Sequence, residues 1–423
     1  MYLSQARAND PNRATATTPR AASAPRAGAA RSRVPGTVLA LGLVSLVTDA
    51  SAEMITAMLP MYLMYGLGIG YLQLGALDSL YTGAGALFRI GGGYAADRFG
   101  HSKAVATSGY ALSALTKLAF PVVGSAPAVA TLVAADRIGK GIRTAPRDTL
   151  ITAAVPETDL GRAFGVHRAM DTCGALLGPL LAFAVLAAVP GGYDTAFQVS
   201  FCLAAVGVVV MVAFVRRGPL PTPRDRSLGA RARLTFLRTP SVRRCTVAAA
   251  LLGLLTAGDM SFYIGLQHRL AVPAGALPLL PVFTAAVFMT VAVPIGILAD
   301  RIGRWPLFLC GHLAALGAYL FLWAAPLTGW PAAGLALLLY GLFYAATDGV
   351  LMAHIAPLLP QTSRTTGLAV VQTAQTLARA LGALAFGALA AHGGPGTAFA
   401  VFGCTTAAAI AAARLIHRPG KEA

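Results

Sequence analysis

The sequence predicts an all-α integral membrane protein with twelve transmembrane helices, arranged as two six-helix bundles related by pseudo-symmetry. Its 423 residues are 56% hydrophobic and only 12% charged, and the mean hydropathy is +0.67. Apolar stretches of ~20 residues recur along the chain, each long enough to cross about 30 Å of hydrocarbon as a helix. A motif repeated in both halves predicts the two-bundle arrangement. A membrane β-barrel would require short alternating strands, and the sequence does not show that pattern.

Twelve apolar stretches are separated by glycine, proline and charged residues, which mark breaks between helices. We number them spans 1 to 12. Their expected limits are 36–65, 72–95, 103–124, 127–152, 163–187, 195–215, 244–267, 275–299, 306–325, 330–356, 365–390 and 396–414.

Basic residues divide the loops between these spans into two sets. One set, called the inner end below, contains Arg98, Lys103, Arg162, Arg301, Arg304, Arg364 and the arginine-rich segment 216–243. The other set, called the outer end, has Arg269 as its one basic residue apart from histidines; its loops are 66–71, 122–126, 188–194, 268–274, 326–329 and 391–395. Because basic loops stay in the cytoplasm, we expect a protein of the inner (cytoplasmic) membrane with both termini cytoplasmic.

This topology divides the chain into five regions. They are a disordered basic cytoplasmic tail (1–34), an N-terminal six-helix bundle (35–217), a cytoplasmic linker (218–243), a C-terminal six-helix bundle (244–415) and a cytoplasmic tail (416–423). The basic linker is expected to contact anionic lipid headgroups, and a nucleic-acid partner is not expected.

The motif GxxxDRxG follows both span 2 and span 8, at matching places in the two halves. Its first copy comprises Gly93, Asp97, Arg98 and Gly100, and its second comprises Gly296, Asp300, Arg301 and Gly303. An internal repeat of six-helix units is typical of secondary transporters. The chain therefore resembles, over roughly residues 36–414, the major facilitator superfamily, whose best-known motif lies between helices 2 and 3.

The resemblance implies a fold in which the two bundles surround a central cavity, and a gate at the inner end that opens when the bundles rock apart. The gate residues would be Gly93, Asp97, Arg98, Gly100, Asp300 and Arg301. One departure is that His101-Ser102 precedes Lys103, where the family usually has two basic residues. The alternative is that these charges only set the membrane topology.

Span 5 contains Gly174, Gly178 and Pro179, and this GxxxGP pattern resembles the antiporter motif of drug–proton exchangers in the superfamily. Ala182-Phe183 stand where that motif continues with paired glycines, and close helix packing is the alternative role. In addition, "DRIGKGIRTAPRD" with "GRAFGVHRAMDT" resembles a prokaryotic subgroup of these transporters that has no agreed substrate.

Span 4 concentrates charge near the middle of the membrane. Asp136 and Arg137 are the candidates for proton coupling, because Arg137 and Gly141 resemble the family's RxxxG element of helix 4. A charge at this depth must find a partner or face a wet cavity. We expect Asp136 to pair with Lys140, one turn away. Snorkelling towards the membrane surface is the alternative for other arginines of this helix.

Asp49 and Glu53 lie one turn apart near the middle of span 1. Two carboxylates this close cannot both ionise cheaply in a medium of low dielectric, so we expect one to bind a proton near neutral pH. The alternative is permanent pairing with Arg89 or Arg137.

In the superfamily's architecture, helices 1, 4, 7 and 10 line the cavity, and this chain places acids on all four. The further candidates for the substrate cavity are Asp171, Asp259, Asp348 and Arg379, with Asp171 expected beside His167 and Arg168. No metal site is expected, since Cys and His do not converge near the acids.

Together these features predict a monomeric secondary transporter, without a cofactor, for proton-coupled efflux of a small cationic or amphipathic molecule by alternating access. Uptake symport, divalent-metal export and a non-transporting membrane sensor remain alternatives. The sequence lacks HExxH, GxSxG and Walker motifs, so neither an enzyme nor an ATP-driven pump is expected. The expected partners are the substrate, protons and the lipid bilayer.

Overall fold

The computed structural model describes residues 35–99, 101–156, 160–215, 239–324, 327–359 and 364–416, and this part of the chain is almost entirely helical. Helix is present at the position of every predicted span. The proposed tails lie outside the described residues, as does most of the linker.

The helices of the first half closely follow the predicted limits. Span 1 ends in a wider turn, Tyr62–Gly66, and span 3 in a short turn, Phe120–Val122. The six helices are Gly36–Met61, Tyr71–Phe99, Ser102–Ala119, Ala126–Ala153, Leu160–Ala188 and Tyr193–Phe214.

The second half departs from the prediction, because spans 7 and 10 are each broken. Span 7 consists of Pro240–Leu254 and Asp259–Leu270, and span 10 of Gly329–Thr347 and Val350–Ile355. Span 8 begins with the tight turn Ala274–Leu279, and the other helices are Leu280–Ile302, Arg304–Ala324 and Arg364–Ile416. The last of these holds spans 11 and 12, which meet at Gly394, whose φ of 77° interrupts the helix.

Eight helical stretches in the described residues are long and apolar enough to cross a membrane. They cover spans 1 and 5 to 12, with spans 11 and 12 in one stretch. Spans 2, 3 and 4 do not meet the same test, and span 4 carries the charges that the sequence placed there.

Glycines bring neighbouring helices into backbone contact within the first half. A Cβ at Gly174 would lie 2.2 Å from the carbonyl oxygen of Leu46, and one at Gly178 would lie 2.6 Å from that of Ala50. The two motif glycines of span 5 therefore pack directly against span 1, as small residues do in membrane helix pairs.

Among the described residues, contacts between the halves are present at the outer end. Span 2 packs on span 11, where a Cβ at Gly75 would lie 2.8 Å from the Cα of Gly387. The Tyr65 hydroxyl donates to Gln267 Oε1 at 2.7 Å across the same seam. The two halves are therefore in contact at their outer ends.

Replacing Gly174 by alanine should lower the stability of the folded protein by about 1–3 kcal/mol, because a methyl group has no room against span 1. Thermal unfolding of the purified protein in detergent would measure this. Gly296 is the matched control, since a Cβ there meets nothing within 4 Å; Gly296→Ala should leave the unfolding temperature unchanged or raise it. Equal effects of the two substitutions would contradict the packing role.

Candidate functional site

A charged triad joins spans 3 and 4 in the first half. Lys117 Nζ lies 2.8 Å from Asp136 Oδ1, and the Arg137 guanidinium lies 2.5 Å from Asp136 Oδ2. The Ser113 hydroxyl also donates to Asp136. The expected pairing of Asp136 with Lys140 is wrong, because Lys117 of the neighbouring helix occupies that carboxylate.

The triad is sealed inside the protein. Lys117, Asp136 and Arg137 are 2%, 7% and 6% exposed, and the Arg137 guanidinium covers the Tyr81 ring at 4.0 Å. The void beside them measures about 10 Å³, roughly the room that one water needs. No substrate fits there, and the role of Asp136 and Arg137 in proton coupling stays a prediction.

Asp49 lies in a second charged group, between spans 1 and 4. Its Oδ1 is 3.2 Å from Arg143 and 3.8 Å from Lys140, and Lys140 also lies 3.5 Å from Glu53. Asp49 and Glu53 thus share one lysine. Among the described residues their partners are Lys140 and Arg143. Of the two candidates from the sequence, Arg137 pairs with Asp136, and the side chain of Arg89 lies outside the described residues.

Asp171 of span 5 is the carboxyl that meets Asp49. The two side chains are within hydrogen-bonding reach of each other. Asp171 Oδ1 is buried and receives no hydrogen bond from the described residues, although Arg147 lies 3.7 Å away. Two carboxyl groups this close would repel each other unless they shared a proton or bound neighbouring cations.

His167 lies one turn before Asp171 on the same face of span 5, but its hydrogen-bond partner is Ser45 of span 1. It is 3% exposed, and its Nε2 lies 2.8 Å from the Ser45 hydroxyl. Arg168, the other expected neighbour of Asp171, is 3.5 Å from the acid and mostly exposed.

An acidic side chain of the first half lies against the break in span 7, which belongs to the second half. Asp78 of span 2 is 2% exposed, and its Oδ2 accepts hydrogen bonds from the backbone N–H groups of Met260 and Ser261 at 3.0 and 3.3 Å. It therefore caps the helix that begins at Asp259, where free N–H groups favour an anion. Gly258 makes room, since a Cβ there would lie 2.1 Å from the Asp78 carboxylate.

Tyrosines of the second half form hydrogen bonds at the same break. The Tyr319 hydroxyl accepts a hydrogen bond from the Ala257 N–H at 2.9 Å. The hydroxyls of Tyr340 and Tyr344 donate to Asp259 Oδ1 at 2.8 and 2.5 Å. The Ala257 N–H at the break is thus paired inside the protein, as the membrane interior requires.

Arg379 of span 11 lies beside this tyrosine group. Its guanidinium is 5.5 Å from the Phe343 ring centre and 5.7 Å from that of Tyr344, and its Nε is buried without a hydrogen-bond partner. Asp348 is exposed at the break of span 10.

The predicted gate is described only in part. Helix includes Gly93, Asp97 and Arg98, but their side chains and all of Gly100 lie outside the described residues. In the second copy, Asp300 pairs with Arg304 at 2.9 Å, and Arg301 is exposed.

Lys117, Asp78 and Tyr81 are not among the site residues that the sequence predicts. Each left one signal, a polar side chain inside an apolar helix, but a signal of this kind does not identify the partner. Among the described residues, no group of three His, Cys, Asp or Glu side chains could hold a metal ion.

Comparisons with known proteins agree with this architecture. A model of the Major Facilitator Superfamily matches residues 41–382 and 292–423. An uncharacterized MFS-type transporter of Methanocaldococcus jannaschii is 28% identical over 349 residues, which cover 79% of this chain and 84% of that protein. An uncharacterized protein of Mycobacterium tuberculosis is 31% identical over 187 residues, 44% of this chain and 45% of that protein.

Solved structures share the fold at low sequence identity. The nucleoside transporter NupG superposes with a TM-score of 0.76 at 14% identity, over 90% of this chain and 99% of that chain. A bacterial homologue of the human lysosomal transporter Spinster, in an inward-facing and unoccupied conformation, gives a TM-score of 0.67 at 16% identity, over 90% and 94%.

Replacing different members of the triad should destabilise the folded protein by different amounts. Asp136→Asn leaves two buried cations unpaired and should cost about 3–5 kcal/mol of stability. Lys117→Met leaves the Asp136–Arg137 pair intact and should cost less. Thermal unfolding in detergent would compare them, and a greater loss for Lys117→Met would contradict the assigned pairing.

Proposed function

From the premise that this chain, a multi-pass membrane transporter, belongs to the Major Facilitator Superfamily, we propose that it exports a small cationic or amphipathic molecule in exchange for protons. In this proposal the protein works by alternating access, as a monomer in the cytoplasmic membrane with both termini in the cytoplasm. The proton gradient drives it, without a bound cofactor.

The contact between Asp49 and Asp171 carries the proposal of proton coupling. The pair joins spans 1 and 5, so a proton between the two carboxyls also links two helices of one bundle. Arg143 and Lys140 lie within 4 Å of Asp49, and Arg147 lies within 4 Å of Asp171. These cations can take over the carboxylates when the proton leaves. We propose that the bundles move when Asp49 and Asp171 lose the shared proton and contact these cations instead.

Half-exposed acids support the proposed substrate class. The Glu53 side chain is 27% exposed, and Asp348 is exposed at the break of span 10. Both lie at positions that the family's architecture assigns to the cavity, where a carboxylate would attract a cationic group. The antiporter-like glycines of span 5 support export over uptake.

Asp78 supports the proposed alternation between two states. Its hydrogen bonds to Met260 and Ser261 cross between the halves, so they must break whenever the outer end opens. We propose that this cap holds the outer end closed while the inner end is open.

Asp171→Asn should abolish exchange of substrate for protons, because an amide cannot carry a proton between the bundles' two states. A strain without its own exporters, challenged with a panel of toxic cations and amphiphiles, would first identify a substrate. Everted vesicles with an acidic lumen would then show pH-driven accumulation for the native protein, and at least a tenfold loss for Asp49→Asn and Asp171→Asn.

Asp148 provides the matched control on span 4, since it pairs with Arg147 but is 43% exposed at its side chain. Asp148→Asn should retain coupled transport. Undiminished accumulation by the Asp171→Asn protein would contradict the coupling site, and movement of substrate together with protons would favour uptake symport.

Asp78→Ala should shift the population towards the outward-open state by about two- to thirtyfold, as expected for loss of a helix cap that contributes ~0.5–2 kcal/mol. Spin labels at Leu72 and Gly275, exposed positions at the outer end of each half, would report this as a longer distance. Asp194→Asn, at an exposed acid of the same end, should leave the distances unchanged. An unaltered distribution in the Asp78→Ala protein would contradict the gating role.

A further inference from the structure

We propose that Arg379 forms an anion-binding subsite, which holds the carboxylate or a similar planar oxyanion of the transported molecule. This inference rests on the proposed function and narrows it to amphipathic substrates that include an anionic group.

Arg379 lies at the middle of the membrane, next to the break in span 7. It follows the start of span 11 by about 22 Å of helix. A Cβ at Gly253 would lie 3.5 Å from Arg379 Cγ, and one at Gly382 would lie 2.4 Å from the carbonyl oxygen of Leu254. The stem of the arginine is therefore packed against span 7, and its position is fixed.

The charge of Arg379 is unpaired among the described residues, in contrast to the cations of the first half. Every charged lysine or arginine in the middle of spans 3 and 4 lies within 4 Å of an acid; these are Lys117, Arg137, Lys140, Arg143 and Arg147. Arg379 has no acid at that distance, and its buried Nε lacks an acceptor. A cation in this position costs several kcal/mol unless an anion or water compensates it.

The groups around Arg379 compensate its charge only in part. The rings of Phe343 and Tyr344 lie at cation–π distance, a contact that contributes up to ~2 kcal/mol when desolvated. The Tyr344 hydroxyl donates its proton to Asp259. In this proposal, an anionic group of the transported molecule is the partner that completes the compensation of the Arg379 charge.

A polar face of span 11 leads to this site from the inner end. Gln372, Gln375 and Arg379 follow one another at helical spacing. Gln372 is exposed, and the other two are half-buried. In this proposal, a molecule that enters from the inner end approaches along this face.

The chemistry of the site selects a particular kind of molecule. A guanidinium presents a planar fork that matches a carboxylate with two parallel hydrogen bonds. Tyr344 is half-buried beside it, so its ring offers an apolar surface to the body of the ligand. A small organic anion with an aromatic or other flat apolar part fits both features.

Three nearly isosteric probes test the charge preference: benzoate, benzamide and benzamidine, which are anionic, neutral and cationic. Benzoate at millimolar concentration should raise the unfolding temperature of the native protein in detergent by roughly 2 °C, and the other two should have little effect. Arg379→Gln should abolish the benzoate shift, and Arg379→Lys should keep a smaller one. Arg243→Gln, at an exposed arginine of span 7, should keep it in full.

Equal shifts by benzoate and benzamide would overturn the subsite, and this comparison uses the native protein, so it does not depend on the folding of any variant. A benzoate shift that survives in Arg379→Gln would overturn it as well. The measurement needs no proton gradient. Its failure would leave the exchange test on Asp171 unaffected, and failure of that test would leave the benzoate result unaffected.

Discussion

The cost of burying an ionised side chain in hydrocarbon is the constraint on which the first half of this protein depends. Span 4 carries more charge than any helix in lipid could tolerate alone. Spans 1, 3 and 5 each supply an oppositely charged partner. Span 3 contributes Lys117 to Asp136, span 1 contributes Asp49 to Arg143, and span 5 contributes Asp171 to Arg147. The charges of span 4 therefore fix the rotation and depth of three neighbouring helices, and these contacts in turn bring Asp49 to Asp171.

The second half satisfies the same constraint with broken helices and tyrosines. Backbone N–H groups at the break of span 7 lack helical partners, and Tyr319 and Asp78 accept hydrogen bonds from them. Asp78 comes from the opposite half, so in the proposed cycle these hydrogen bonds are complete only when the outer end is closed. On that proposal, the stability of span 7 and the conformation of the transporter are linked through one carboxyl group.

The positions of the helices followed from the sequence, because length and hydropathy decide them locally. The glycines of span 5 and the acids of spans 1 and 4 were also visible as motifs. The pairing of charges was not, since each residue along a helix turns the side chain by about 100° and the partner depends on how two helices are rotated and shifted. This is why Asp136 was assigned to Lys140 and not to Lys117. The break at Gly258 was hidden for a similar reason: the apolar pattern continues through it, and the groups that stabilise it come from distant spans.

The contact of Gly75 with Gly387 affects how the two halves can move against each other. Neither residue has a side chain that could interdigitate with the other helix, and their backbones touch directly. Two smooth surfaces in contact resist compression but offer little resistance to sliding or tilting. The pair thus sets how closely the backbones of spans 2 and 11 approach, and a rotation of one half against the other that pivots here has to break the side-chain contacts around it, those of Asp78 and Tyr65 among them.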